Sequence, residues 1–181
     1  MTSTEDPSLR GSEGENSIGA CTSFAQLYRE TARDVYAYVA TIVGDRAAAE
    51  DVVAAAYERA YRKRAKFDAR RGSPRAWVFG IARNAALDEL RRRKRSVPLA
   101  APDAVAHDAA APGDDAELAA RRATVRAALH RLEPRDREIV ALKFHGDLTN
   151  AEVAKLLGLS ESNAGTRLHR AMTKLREACD A

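Results

Sequence analysis

One stretch of the chain, residues 96–116, separates two long segments that both carry a helical pattern. It contains prolines, many alanines and several aspartates, and Val105 is its only large apolar residue after Leu99. A segment with so few apolar side chains cannot bury enough surface to fold by itself. We therefore predict a flexible, acidic Ala/Pro linker at this position, with one small domain on either side of it.

Both flanking segments repeat apolar residues at three- and four-residue steps, the spacing that places them on one face of an α-helix. No segment alternates between apolar and polar residues in the manner of a strand. The predicted fold class is all-α, with domains at 23–95 and 117–181. Residues 1–22, rich in Ser, Thr, Glu and Gly, are expected to form a disordered tail. Helices are predicted at about 24–42, 46–64, 75–95, 117–132, 134–145, 150–157 and 161–177.

Charge is distributed very unevenly along this chain. Between Arg59 and Arg95 there are fourteen Lys and Arg residues against three Asp and Glu, a local balance of +11. Because the whole chain carries +4, the remainder carries 4 − 11 = −7. A solvated helix surface usually mixes both signs, so such an excess indicates a polyanionic partner, most commonly a nucleic acid.

The sequence also excludes several classes of protein. No apolar run approaches the roughly 20 residues that cross a bilayer, and the polar first residues do not resemble a secretion signal. We therefore expect no membrane insertion and a cytoplasmic location. Cys21, Cys179 and the four scattered histidines show no metal-ligand spacing. Without paired carboxylates, a nucleophile motif or a Gly-rich phosphate loop, we expect no metal, no cofactor, no catalytic residue and no enzyme.

The most specific local pattern lies in residues 148–175. Thr149 and Glu152 have the spacing of a capping box, in which a hydroxyl and a carboxylate satisfy free N–H groups at a helix start. Gly158 suits a left-handed helix end, and Ser160 suits the cap of a following helix. Two helices joined by a short turn containing glycine predict a helix-turn-helix.

The second of these helices presents two different faces. Its predicted core-facing stripe consists of Ala164, Leu168, Ala171 and Leu175. The side chains away from that stripe are Ser162, Asn163, Thr166, Arg167, His169 and Arg170. Hydroxyl, amide, imidazole and guanidinium groups can donate to phosphates or to base edges in the major groove. This face therefore indicates duplex DNA binding.

The same segment resembles a known family. Leu-Thr-Asn-Ala-Glu-Val-Ala-Lys-Leu-Leu-Gly-Leu-Ser at 148–160, followed by residues 166–171 and 174–177, is similar to the C-terminal domain of extracytoplasmic-function (ECF) sigma factors of the sigma-70 family. Residues 132–140 resemble the helix that precedes it. Independently, Ala-Glu-Asp-Val-Val at 49–53 resembles the family's core-polymerase-binding helix. The motifs found in Trp77, Ile81-Ala-Arg-Asn84, Asp88 and Leu90-Arg-Arg92 resemble its promoter-melting helix.

The resemblance implies an adapter that binds bacterial core RNA polymerase and promoter DNA, both as duplex and as melted single strand. The residues it places at the polymerase contact are Glu50, Asp51, Val52, Val53 and Tyr57. It places the minus-ten contact at Arg62, Lys66, Phe67, Arg70, Arg71, Trp77, Asn84, Asp88, Arg91 and Arg92. It places the minus-thirty-five contact on the six outward residues already named, from Ser162 to Arg170. An anti-sigma factor is a further partner that the family implies.

Two departures from the family pattern and three rival interpretations remain. Ala54-Ala55 and Ala164-Gly165 replace residues that the family usually has. The first replacement predicts fewer contacts with core polymerase, and the second predicts an unusual promoter preference.

A stand-alone helix-turn-helix regulator would explain the C-terminal half but not the basic, Trp-containing N-terminal half. A nucleic-acid enzyme lacks its motifs here. A protein that binds polymerase without directing it differs only in a transcription assay.

Overall fold

The computed structural model describes residues 17–18, 22–96 and 116–180, and it confirms the all-α fold class. Within these residues seven α-helices follow one another, three before the segment 97–115 and four after it. Most of the predicted tail and linker lie outside the described residues. The sequence did not predict a short antiparallel pair of strands, β1 (Ser17–Ile18) and β2 (Thr22–Ser23), just before the first helix.

The first three helices are α1 (Phe24–Val43), α2 (Arg46–Lys63) and α3 (Pro74–Ser96). Short side chains cap them. The Ser23 hydroxyl accepts from the Gln26 N–H at 3.2 Å, and the Asp45 carboxylate accepts from the Ala48 N–H at 2.7 Å. Gly44, at φ 72°, ends α1 in the left-handed conformation that glycine adopts without steric cost.

These three helices pack their apolar faces against each other. Val35, Tyr38 and Val39 of α1 meet Val78 and Phe79 of α3, and all five are essentially excluded from solvent. The rings of Tyr38 and Phe79 lie edge to face with centroids 5.6 Å apart. Each such side chain contributes roughly 1.5–3 kcal/mol through burial, so this layer is the main stabilising core of the N-terminal half.

The second set of helices is α4 (Ala116–Arg131), α5 (Pro134–Phe144), α6 (Asn150–Leu157) and α7 (Glu161–Asp180). Ile139 and Leu142 of α5, Leu148 in the turn and Ala171 of α7 are fully buried. Pro134 occupies the first turn of α5, where its missing N–H has no partner to lose.

The two halves are not separate in space. Their buried residues form one continuous hydrophobic cluster, in which α5 packs against α1 and α6 against α3. The hydroxyl of Tyr38 is buried without a hydrogen-bond partner among the described residues. Burial raises the pKa of Tyr38, to which the nearby charge of Glu138 adds while that of Arg83 opposes it. The seam between the halves therefore contains polar groups as well as apolar ones.

Candidate nucleic-acid interface

The predicted helix-turn-helix is present in α6 and α7. The Thr149 hydroxyl accepts from the Glu152 N–H at 3.2 Å, and the Glu152 carboxylate accepts from the Thr149 N–H at 3.0 Å, which completes the capping box. Gly158 ends α6 at φ 67°. The Ser160 hydroxyl then accepts from the Asn163 N–H at 3.2 Å. These four local predictions are confirmed.

The orientation of α7 follows from its apolar stripe. Ala164, Ala171 and Leu175 are buried and Leu168 is half-buried, as the sequence predicted. The opposite side borders an open groove of about 360 Å³. Its lining consists of Asp136, Leu159, Asn163, Thr166, Arg167, Arg170 and Lys174. We call the α7 side chains of this lining, Asn163, Thr166, Arg167, Arg170 and Lys174, the recognition face.

The structure brings four of the six predicted minus-thirty-five residues together on this face. Ser162 and His169 are exposed on α7 but do not line the groove. Lys174 was missed by the sequence reasoning, although it lies one turn beyond Arg170. Its ammonium contacts the Asp136 carboxylate of α5 at 2.6 Å. The recognition face thus combines three cations with an amide and a hydroxyl, a donor set suited to phosphates and base edges.

Gly165 leaves the backbone of α7 uncovered between these side chains. A Cβ built at this residue would meet no atom within 4 Å. The glycine is therefore not required by packing inside the described part of this chain, although it costs about 1 kcal/mol of helix propensity.

The predicted minus-ten residues lie along the end of α2, the following loop and the outer side of α3. We call residues 64–73 the minus-ten loop; it contains two 3₁₀ turns, Arg64–Lys66 and Ala69–Arg71. The cations Arg62, Lys66, Arg70 and Arg71 are all exposed. Arg70 donates to the Asp68 carboxylate at 3.1 Å, and this bond lowers the pKa of Asp68.

Phe67 and Trp77 are half-buried and contact each other, with ring centroids 5.4 Å apart. Both pack against the core cluster. They support the base of the minus-ten loop and leave only part of each ring accessible. Although the resemblance places both residues at the minus-ten contact, the sequence favoured core packing over stacking on a base, and packing occupies most of both rings.

Asn84, Asp88, Arg91 and Arg92 are exposed on one side of α3, as their spacing predicted. Asp88 accepts from Arg91 at 3.0 Å, and Arg92 donates to Glu89 at 2.8 Å.

The neighbouring Arg93 has a structural role. It bridges Glu89 at 2.8 Å and Asp45, the cap of α2, at 3.1 Å. The bonds from Arg92 and Arg93 lower the pKa of Glu89, which keeps this carboxylate charged.

The predicted polymerase-contact residues do not share one surface. Glu50 and Asp51 are exposed, and Val53 is half-buried. Val52 and Tyr57 are each only 6% exposed and belong to the core. The prediction that Val52 and Tyr57 lie at the polymerase contact therefore needs correction. Both lie on the apolar stripe of α2 and pack into the core.

The Tyr57 hydroxyl contacts the Thr31 hydroxyl at 2.8 Å, and Thr31 donates to the Leu27 carbonyl at 2.6 Å. Because Thr31 has one proton to give, Tyr57 is the donor of the first bond. Burial raises the pKa of Tyr57 to about 12. The Tyr57 hydroxyl therefore has its hydrogen-bond partner inside the protein and is not available to an external partner.

Within the described parts of the chain, no group of three or more His, Cys, Asp or Glu residues could hold a metal ion. Over the same residues, no helix is both long and apolar enough to cross a membrane.

Comparison with known proteins agrees with this geometry. The family model for sigma-70 region 2 matches residues 27–96, and that for sigma-70 region 4 matches residues 122–175. The ECF RNA polymerase sigma factor SigK of Mycobacterium ulcerans is 33% identical, over 90% of this chain and 89% of its own. The RNA polymerase sigma factor CarQ of Myxococcus xanthus is 34% identical, over 88% of this chain and 90% of its own.

Two solved structures share the fold. The sigma factor RpoE of Bartonella quintana, solved with the anti-sigma factor NepR, superposes with a TM-score of 0.72 at 21% identity, covering 87% of this chain and 97% of its own. CnrH, solved with the cytosolic domain of CnrY, gives 0.62 at 25% identity and covers 87% of each chain.

Among the described residues, one half contains a helix-turn-helix and the other is a basic helical domain with an exposed loop, which is the arrangement of a DNA-binding transcription regulator. The chain belongs to the ECF sigma factors of the sigma-70 family. It is an alternative sigma factor that directs promoter recognition and transcription initiation.

Proposed function

We propose that this chain works by binding alone, in the cytoplasm, as the bridge between bacterial core RNA polymerase and two promoter elements. Domain 23–95 would bind the polymerase and the minus-ten element, and domain 117–181 would bind the minus-thirty-five element. The single observation that carries the proposal is the recognition face, where cationic and polar side chains of one helix lie opposite a buried apolar stripe.

For the polymerase contact we propose the exposed part of α2. Glu50 and Asp51 offer two carboxylates to solvent beside the half-buried Val53. An acidic rim around an apolar patch selects a basic partner surface and speeds its encounter. Ala54 is exposed next to them and adds little contact area, so this contact depends on the charge pair.

For promoter melting we propose the minus-ten loop and the outer side of α3. Arg62, Lys66, Arg70 and Arg71 would neutralise phosphates of the displaced strand. An extruded base would then be held against the accessible edges of Phe67 and Trp77. Asn84, Asp88, Arg91 and Arg92 would follow the duplex upstream of the melted bases.

For the minus-thirty-five element we propose that α7 enters the major groove. Arg167 and Arg170 are the side chains able to bind guanine bidentately, and Asn163 is able to bind adenine. Thr166 and Lys174 would contact phosphates nearby, together with Ser162 and His169 at the margin of the groove. The uncovered backbone at Gly165 allows the DNA to approach α7 closely.

We also propose that an anti-sigma factor holds the chain inactive. The support is indirect: RpoE of Bartonella quintana and CnrH were solved with an anti-sigma factor and with the cytosolic domain of CnrY, respectively.

The experiment that tests the proposed function uses the full chain with bacterial core RNA polymerase. The two are mixed, separated by gel filtration, and supplied with fragmented genomic DNA and nucleotides. We expect co-elution and specific transcripts, whose start sites define the promoter. Tight binding to duplex DNA without co-elution would instead support a stand-alone helix-turn-helix regulator. Co-elution without any transcript would support a protein that binds polymerase without directing it.

A further inference from the structure

Two large aromatic side chains are exposed to solvent beside the C-terminal end of α2. Tyr28 of α1 and Tyr61 of α2 are 48% and 45% exposed, and they lie next to Phe24 and Tyr57, which are half-buried and buried. We call these four residues the aromatic patch. Among the described residues only one other aromatic side chain, Phe144, is exposed. The patch is therefore a distinct feature of the N-terminal half.

The rings of the aromatic patch hold each other in one arrangement. Tyr28 meets Tyr57 edge to face with centroids 4.8 Å apart, and Phe24 meets Tyr61 in the same way at 5.2 Å. Phe24 also contacts Tyr57 at 6.4 Å, so the four rings form one continuous chain. The Tyr57 hydroxyl is bound to that of Thr31, which fixes the central ring. Rings that are already ordered lose little freedom when a ligand stacks on them.

A guanidinium group lies over one of the exposed rings. Arg64 places its Cζ 4.0 Å from the centroid of the Tyr61 ring, and its Nη1 donates to the Tyr61 carbonyl at 2.9 Å. The cation–π contact and the backbone bond together hold a positive charge at the patch. A nucleotide whose phosphate paired with this guanidinium would have its base within reach of the exposed rings.

The charge around the aromatic patch favours an anionic partner. Residues 58–66 contain five Lys and Arg residues and a single carboxylate, that of Glu58, which pairs with Arg62 at 2.6 Å. The carboxylates of the proposed polymerase contact, Glu50 and Asp51, lie about 15 Å away along α2 at about 1.5 Å per residue. The end of α2 at the patch is therefore suited to a polyanion, whereas the acidic region is suited to a basic protein surface.

We propose that the aromatic patch is a second stacking site for single-stranded DNA. Exposed rings among cations match a single strand, because its phosphates are anionic and each of its bases has a π-face. The patch adjoins the minus-ten loop, since Tyr61 lies three residues before the first 3₁₀ turn of that loop. The patch receives bases of the displaced strand close to the base held at Phe67 and Trp77. This inference deepens the proposed function and rests on it only for the identity of that strand.

The first test separates stacking from hydrophobic packing. Tyr28→Leu combined with Tyr61→Leu keeps apolar bulk but removes both π-faces, and Tyr28→Phe combined with Tyr61→Phe keeps them. Binding of the full chain to a short fluorescein-labelled oligodeoxythymidine is measured by fluorescence anisotropy at low salt. The leucine variant should bind at least about tenfold more weakly, because each stacked base contributes about fivefold or more to affinity. The phenylalanine variant should bind as the unchanged chain does.

The matched control is Phe144→Leu, which removes the other exposed aromatic ring of the described residues, on α5. Its affinity for the oligonucleotide should be unchanged, and urea denaturation checks that each variant folds. Equal affinities of the leucine and phenylalanine variants would overturn the stacking site. An equal loss of affinity in Phe144→Leu would overturn it as well, because exposed rings in general would then account for the binding.

A second test needs no substitution and therefore does not depend on how a variant folds. An oligodeoxythymidine that carries one 5-iodouracil is irradiated in the presence of the full chain, and the crosslinked peptides are identified by mass spectrometry. We expect crosslinks at Tyr28 or Tyr61, because an iodinated base that stacks on a ring reacts with that ring. Crosslinks confined to Phe67 and Trp77 would overturn the proposal and leave the minus-ten loop as the single-strand site.

A third measurement distinguishes a nucleic-acid site from a protein contact. The leucine variant is mixed with core RNA polymerase on the promoter defined by the transcript start sites. Co-elution should be unchanged, whereas permanganate reactivity of unpaired thymines should fall several-fold. Loss of co-elution would mean that the patch binds the polymerase and would overturn the proposal. If the unchanged chain directs no transcription, the proposed function fails, whereas oligonucleotide binding and crosslinking still report the stacking site.

Discussion

The two DNA-facing surfaces of this sigma factor are built in different ways. The recognition face lies on α7, which Ser160 caps, and the preceding helix α6 begins at the capping box of Thr149 and Glu152 and ends at Gly158. The minus-ten loop is held by residues from the other half of the chain, Glu152 and Lys155. A surface fixed by local signals is ready in the free protein, whereas a surface held by distant residues depends on the arrangement of the domains.

The largest effect is expected on the recognition face. Arg167→Ala combined with Arg170→Ala removes two guanidinium groups from the groove, and each such contact is worth about 1–3 kcal/mol. Binding of the holoenzyme to duplex carrying the minus-thirty-five element should fall by at least about tenfold, measured by fluorescence anisotropy. Arg176→Ala, on α7 but outside the groove lining, is the control. An equal loss in both variants would mean that nonspecific charge, and not the recognition face, carries the affinity.

A smaller and conditional effect is expected at the minus-ten loop. Arg70→Ala combined with Arg71→Ala should leave duplex binding by the free chain unchanged, because the loop is proposed to contact the melted strand and not the duplex. In the holoenzyme it should lower promoter opening by roughly tenfold through lost phosphate contacts, as followed by permanganate reactivity of unpaired thymines. Arg29→Ala with Arg33→Ala removes the same charge from α1 and serves as the control. A fall in duplex binding by the free variant would show that these two arginines also contact duplex DNA.

The local construction of the helix-turn-helix has its own test. Thr149→Ala removes the hydroxyl of the capping box and should lower the free energy of unfolding by about 1 kcal/mol. Thr173→Ala is the matched control, since its hydroxyl only donates to the His169 carbonyl of its own helix at 3.2 Å. Urea denaturation measures both. If the free energy of unfolding falls by the same amount in both variants, the capping box does not determine where α6 begins.

The smallest effect concerns pH and the seam. Burial lowers the pKa of His145, although the nearby charge of Asp34 opposes this; the ring contacts Thr41 at 3.3 Å, and Arg75 binds its carbonyl. Burial likewise lowers the pKa of His130, with help from Arg137 and Arg126.

A histidine whose pKa is lowered by folding binds fewer protons in the folded state than in the unfolded state. Its contribution to the free energy of unfolding is therefore complete above the ordinary histidine pKa of about 6.5, and it is lost as the pH falls below that value. Unfolding free energy should decrease from about pH 7.5 to about pH 5.5, and His145→Gln should make the decrease smaller. An unchanged pH dependence in His145→Gln would exclude this ring as a contributor.

The sequence predicted the helices and the helix-turn-helix closely, for a physical reason. Capping residues, left-handed glycines and apolar periodicity act over a few positions, so the roles of Thr149, Gly158 and Ser160 could be assigned from their immediate neighbours in the sequence. The start of α3 depends on an equally local signal, the Ser73 hydroxyl that accepts from the Ala76 N–H.

The seam could not be predicted in this way. Arg75, Arg83 and Glu138 look like ordinary surface charges, and their partners lie 41 to 71 positions away along the chain. Val52 and Tyr57 were assigned to a contact surface because of a resemblance to a motif, while their positions on the apolar stripe of α2 already favoured burial. Lys174 was missed because its role depends on the groove formed with α5.

Trp77 has a practical consequence for anyone studying this protein. It is the single tryptophan of the sequence, and its ring lies against Phe67 at the foot of the minus-ten loop. Tryptophan emission selectively excited in the native protein therefore comes from one known place. Polymerase adds its own emission. In the free protein, however, the fluorescence of Trp77 during a titration with an oligonucleotide or a denaturant reports changes in the surroundings of that loop without any attached dye.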